Sequence, residues 1–185
     1  MGTVSVNPPP DLAAAQRQAA RLAAKADIRD VRLMSTCAKI AGLPGADSVL
    51  TYNLDSDANV EYEPGTSSFV VRSTYRLFIA PADPAGRPPT SPVDSAIANI
   101  EFEQAALFII NGFGQDDLPP TADELRAYAV TTGQFAIHPY AREYIYDVTG
   151  RLGLPPLTVG VLMMPWNEAN NAASQKADRG EDTDE

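Results

Sequence analysis

The chain has 185 residues, enough for one domain with tails, and 44% of them are hydrophobic, so a core can form without disulfides or metals. A formal net charge of −10 argues against a nucleic-acid partner, because neutralising phosphates requires clustered Lys and Arg. Cys37 is the only cysteine, which excludes an internal disulfide and a thiolate metal cluster, and it reads as a small buried hydrophobe.

Residues 1–10 have no basic stretch leading into an apolar one, so they read as a flexible N-terminus and not a secretory signal. Apolar runs such as 105–110 are too short to cross a bilayer, and a soluble, cytoplasmic protein without membrane insertion is expected. After Pro8-Pro9-Pro10, Asp11 is placed to cap a helix over 11–26. Leu12, Ala15, Ala19, Leu22 and Ala26 recur at helical spacing, a thin stripe that leans on a neighbour without forming the core.

Four segments between 28 and 111 then alternate with a period of two. In the first, Val31, Leu33 and Cys37 oppose Asp30, Arg32 and Thr36, and in the second Leu50, Tyr52 and Leu54 oppose Thr51, Asn53 and Asp55. In the third, Phe69, Val71, Tyr75, Leu77 and Ile79 oppose Ser68, Arg72, Thr74 and Arg76. In the fourth, Ala96, Ala98, Ile100 and Phe102 oppose Asn99, Glu101 and Glu103, after which 105–110 is apolar on both faces. Such alternation predicts an antiparallel sheet with a dry and a wet face. Glu63-Pro64-Gly65 marks a turn, and Pro81, Pro84, Pro88, Pro89 and Pro92 mark a long loop.

Helices are expected over 121–153. Thr121 and Glu124 have the spacing of a capping box. Ile137, Tyr140, Ala141, Tyr144, Ile145, Val148 and Leu152 form a broad stripe, with a kink or restart expected at Pro139 and an end at Gly153 and Pro155-Pro156. Residues 157–162 read as a short final strand and 167–185 as a disordered acidic tail.

No catalytic constellation converges, and no enzyme or cofactor is expected. His138, the only histidine, lacks a motif partner and reads as structural, and Gly112-Phe113-Gly114 lacks the ending of a phosphate loop. Tyr146 points away from the helix stripe, and Met163, Met164 and Trp166 supply adaptable apolar contacts; with Leu157 and Leu162 these are the candidate polypeptide-binding residues. Tyr140, Tyr144 and Val148 are candidates for a subunit interface, since the chain carries more apolar surface than one thin sheet covers.

The block Pro139-Tyr140-Ala141-Arg142-Glu143, followed by Arg151 and Pro156-Leu157-Thr158-Val159, resembles the SecB family, and the order of elements over 28–162 resembles it too. The resemblance implies an α+β subunit with a four-stranded antiparallel sheet, a long C-terminal helix and assembly as a homotetramer, a dimer of dimers. It also implies an ATP-independent holdase that binds unfolded polypeptides in apolar grooves and passes exported precursors to SecA. Glu101 matches an acid of the family's motor-binding face, with Glu103 beside it, but Ser35, Thr36 and Lys39 stand on the first strand where further acids are expected. The added N-terminal helix, Thr131-Thr132-Gly133-Gln134-Phe135-Ala136 and Tyr144-Ile145-Tyr146-Asp147 resemble actinobacterial SecB-like chaperones, some of which guard the antitoxin of a toxin–antitoxin system. The reading is therefore a holdase for exported precursors or an antitoxin, with SecA a candidate partner. The alternative is an adaptor on the same scaffold dedicated to a single partner.

Overall fold

A computed structural model describes residues 3–6, 12–45, 48–82, 96–112 and 118–162. In chain order the elements are β1 (Thr3–Val6), α1 (Leu12–Ala23), β2 (Ala26–Ile40), β3 (Leu50–Tyr62), β4 (Ser68–Pro81), β5 (Ala98–Ile110), α2 (Ala122–Tyr128), a π-helical turn (Ala129–Gly133) and α3 (Gln134–Arg151). The strands form one sheet in the order β1-β3-β4-β5-β2. β3, β4, β5 and β2 run antiparallel to their neighbours, as the alternation predicts, and β1 joins β3 in parallel. Residues 1–10 were expected to be flexible throughout; instead Thr3–Val6 add a fifth strand. The N-terminal helix ends at Ala23, and Ala26 already belongs to β2.

The core lies between one sheet face and the helices. Every second residue of β4 from Phe69 to Ile79 and of β5 from Ala98 to Ile110 is buried. Cross-strand register stacks Tyr75 on Phe102 at 4.9 Å and Phe69 on Phe108 at 5.3 Å. Tyr128 of α2 meets both members of the second pair edge-on, at 5.1 and 5.3 Å. Aromatic pairs in such geometries add about 0.5–1.5 kcal/mol beyond the area they bury. The alternation in β5 does not fail after Phe102: the inner row continues through Gln104, Ala106, Phe108 and Ile110, while Ala105, Leu107 and Ile109 occupy the outer row half-buried.

β2 departs most from its sequence reading. Irregularities between Ile28 and Asp30 and between Leu33 and Ser35 shift its register against β5. An extra residue reverses the facing of everything after it. Thr36 therefore lies opposite inner-row Phe102, and Cys37 lies opposite outer-row Glu101. Cys37 is exposed, not buried, and Thr36 does not share a face with Glu101.

The capping box forms as expected, with Glu124 N donating to Thr121 Oγ1 at 3.2 Å and Thr121 N to Glu124 Oε2 at 2.8 Å. Arg21 of α1 donates to the same carboxylate at 2.8 Å, clamping α1 to α2. That pairing is the main cause holding Glu124 down at about 2, below its ordinary 4.5, against an upward push from partial burial. The helical irregularity expected at Pro139 lies instead at the π-helical turn, and α3 continues through Pro139. In that wider turn Thr131 Oγ1 donates to Ala127 O at 2.6 Å, and Gly133 approaches the sheet so closely that a Cβ there would meet both Val71 methyls at 3.3 Å. α3 closes in a Schellman arrangement: Gly153 takes φ 76°, Leu154 N donates to Thr149 O and Gly153 N to Gly150 O, both at 3.1 Å.

Candidate functional site

Beyond α3 the chain turns back along the helix without joining the sheet. The strand expected over 157–162 has no ladder partner among the described residues. Side chains hold this segment instead. Thr149 Oγ1 accepts from Leu157 N at 2.9 Å, Arg142 Nε donates to Val159 O at 2.8 Å, His138 Nε2 lies 3.0 Å from Gly160 O, and Tyr52 Oη accepts from Gly160 N at 3.2 Å. Leu154 and Val159 are buried and anchor the segment, so its remaining residues have fixed positions beside the helix.

Two shallow clefts follow. One, of about 280 Å³, lies between α3 and the returning segment and is lined by Pro139, Arg142, Glu143, Tyr146, Thr158 and Val159. The other, of about 260 Å³, lies between the segment and the β3 end of the sheet, lined by residues including Leu50, Ile79, Leu154, Pro156 and Leu157. Of the candidate binding residues, the structure places Tyr146 in the first cleft, 54% exposed, and Leu157 in the second, half-buried against the core. Leu162 is half-buried beside the exposed Val161. Met163, Met164 and Trp166 lie outside the described residues, as does the 167–185 tail.

The candidate interface residues lie along α3. Tyr144 is half-buried, its ring 4.7 Å from Phe102 and its hydroxyl 2.5 Å from Thr36 Oγ1, so it ties the helix to β2. Tyr140, one turn earlier, is exposed, and Val148, one turn later, is half-buried against the core. On β2 itself Leu33, Met34 and Ile40 are exposed. Every residue from Leu33 to Ile40 is exposed, on a strand whose outer edge has no partner among the described residues.

Glu101 and Glu103 do share the outer face, but they do not present free acidity. Arg72 Nη1 lies 2.7 Å from Glu103 and its Nε 2.6 Å from Glu61, and Arg76 bridges Glu101 at 3.7 Å and Asp57 at 3.1 Å. Each β4 arginine thus joins an acid of β3 to an acid of β5. The Glu61 hydrogen bond and then the Glu103 one raise the Arg72 pKa above its ordinary value.

His138 is buried, as a structural histidine would be, and burial lowers its pKa. Its bond to Gly160, with those of Arg142, Tyr52 and Thr149, is the part of the site that the sequence did not show; Arg142 stood within the Pro-Tyr-Ala-Arg-Glu block, but nothing in the block names its carbonyl partner. Among the described residues no group of His, Cys, Asp and Glu could hold a metal ion, and no helix is long and apolar enough to cross a membrane.

Shallow clefts and exposed apolar side chains thus lie on an antiparallel sheet backed by a long helix, an α+β class of protein, and comparison with known proteins makes the family explicit. No protein-family model matches the chain. The SecB-like chaperone Rv1957 of Mycobacterium tuberculosis (strain H37Rv) is 47% identical over 155 residues, 81% of this chain and 84% of the relative. The SecB-like chaperone MT2006 of M. tuberculosis (strain CDC 1551) is 46% identical over the same length. Among solved structures, Rv1957 in complex with a ChAD peptide from the Rv1956 HigA1 antitoxin superposes with a TM-score of 0.69 at 43% identity, covering 82% of this chain and 99% of that one. The chain belongs to the SecB-like chaperones. Chaperones of this kind are not enzymes, in line with the absence of a catalytic constellation in the sequence.

Proposed function

We propose that this SecB-like chaperone is an ATP-independent holdase of the cytoplasm whose principal client is an antitoxin, bound through an extended segment along α3 and the returning 154–162 stretch. The observation that carries this reading is the 43% identical relative whose solved structure holds an antitoxin peptide. The Tyr146 cleft and the apolar residues beside it supply a surface of suitable chemistry, since burial of apolar side chains needs no nucleotide. Assembly is a homotetramer built from dimers, with Tyr140, Tyr144, Val148 and the bare β2 edge at subunit contacts. Export through SecA is the weaker branch: the basic SecA tail that the family resemblance implies as the contact must compete with Arg72 and Arg76 for Glu103 and Glu101.

The experiment is suppression of aggregation for two unrelated denatured proteins, alongside titration of overlapping peptides that cover a candidate antitoxin. A holdase suppresses both aggregations and binds a peptide, with ATP changing neither. Peptide binding with no suppression of either protein supports the single-partner adaptor. Tyr146→Ala is expected to weaken peptide binding about tenfold or more, the loss of at least ~1.4 kcal/mol that an aromatic anchor commonly carries.

A further inference from the structure

The helical layer grips the sheet through aromatic side chains at two places. Tyr128, at the end of α2, sits edge-on to Phe69 and Phe108, and Tyr144 of α3 rests on Phe102. Between these anchors the π-helical turn crosses a polar row of the sheet's inner face, where register sets Ala58, Ser73 and Gln104 side by side on β3, β4 and β5. A Cβ at Gly133 would meet Val71, one inner-row step to one side of Ser73. Gln134 Nε2 reaches Ser56 Oγ at 3.5 Å, opposite Tyr75 and one step to the other side. The turn therefore rests over Ser73. Gln104 and Gln134 are only 4% and 2% exposed, yet the Oε1 atom of each has no hydrogen-bond partner among the described residues. Buried polar groups are nearly always paired, and an unpaired one weakens the packing around it. Two such atoms thus flank a π-helical turn, a rare element that concentrates at functional sites.

We propose that residues 129–136 form a hinge in the helical layer. The turn lifts from the polar row and lets water reach Gln104 and Gln134, while the Tyr128 and Tyr144 anchors stay seated. α2, with α1 clamped to it through Arg21 and Glu124, then tilts as one block relative to α3. Opening costs little at this joint, because water supplies the donors that the two amide oxygens lack in the closed form. The inference goes beyond the chaperone reading and does not depend on it. In a binding protein such a hinge lets the helix that carries Tyr146 follow segments of different bulk without unpacking the aromatic core.

The test is hydrogen exchange of the full chain, read by mass spectrometry. In the unmodified protein, amides at 130–136 are expected to exchange roughly thirtyfold or more faster than those at 140–148, farther along the same helical run. Gln104→Met with Gln134→Met keeps the side-chain length and removes both unpaired oxygens. The double variant is expected to slow exchange at 130–136 by about tenfold or more and to leave 140–148 within about twofold. Equal protection of the two stretches in the unmodified protein overturns the proposal. So does a folded double variant that exchanges at 130–136 as fast as the unmodified protein. Where the double variant does not fold, the contrast within the unmodified protein decides alone. Neither result touches the chaperone reading, which the aggregation assay tests separately.

Discussion

The two edges of the sheet are built on opposite plans. At one, β2 leaves the run from Leu33 to Ile40 exposed on both faces, with Leu33, Met34 and Ile40 among the exposed large side chains. At the other, β3 buries Thr51, Leu54 and Ser56 and has a strand of its own chain laid against it. A long, apolar, unprotected edge is an aggregation hazard unless a specific partner covers it. The bare edge thus fits contact between copies, whereas the other edge is already partly covered by β1. The difference teaches that the two edge strands of one sheet can be managed by different devices, one left for a partner and one covered by the same chain.

The largest expected effect is on assembly. If the proposed tetramer forms through the bare edge, Leu33→Lys with Met34→Lys places charge there and reduces the assembly to smaller species in light scattering, whereas Val60→Lys on the β3 edge leaves assembly unchanged. The reverse outcome would break the comparison. Next in size, Phe102→Ala removes the ring on which Tyr75 stacks and against which Tyr144 rests, and should cost about 3–5 kcal/mol in denaturant unfolding. Because Tyr144 bonds Thr36 on β2, the same variant should loosen the β2 edge more than the β3 edge in hydrogen exchange.

A third measurement addresses α1, which lies between β1 and β2 in the chain and is held by Arg21 and Glu124. Glu124 has its folded pKa depressed to about 2 from 4.5, so its contribution is complete above pH 4.5 and disappears as the pH falls from there toward 2. Glu124→Gln is expected to be less stable than the unmodified protein at neutral pH and to lose less stability across that acid window. Equal acid sensitivity of the two proteins in thermal melts would remove the clamp as its cause. The smallest effect belongs to the outer face. Arg76→Ala, which breaks part-exposed pairs to Asp57 and Glu101, should change stability by no more than ~1 kcal/mol. It should nevertheless strengthen salt-sensitive binding of a basic SecA-type tail by uncovering Glu101.

Local patterns carried far in this chain where their cause is local. The alternation of Phe69, Val71, Tyr75, Leu77 and Ile79 identified the inner row of β4 because a pleated strand turns successive side chains to opposite faces whatever it pairs with. Thr121 and Glu124 announced the start of α2 because a capping box closes within four residues. Gly153 marked the end of α3 because a positive φ suits glycine. The Pro-Tyr-Ala-Arg-Glu block pointed to the family that the relatives make explicit.

What the tertiary structure alone decided depends on pairing between distant residues. The irregularity between Leu33 and Ser35 turned Thr36 and Cys37 over relative to Val31 and Leu33, and nothing within that strand's own composition announces where its register slips against β5. Arg72 and Arg76 were visible on the wet row of β4, but only register shows that they stand between Glu61, Asp57, Glu103 and Glu101 and turn a supposed acidic face into a ladder of ion pairs. The returning segment is held by His138, Arg142, Thr149 and Tyr52 through backbone atoms, which carry no sequence signature. β1 has too few residues for a periodic signal and takes its conformation from the β3 edge it meets. The sequence by itself therefore determined which residues form strands and helices and how most of them face, since those follow from steric periodicity. The edges, the charge ladder and the clefts were decided by long-range register, which no local pattern encodes.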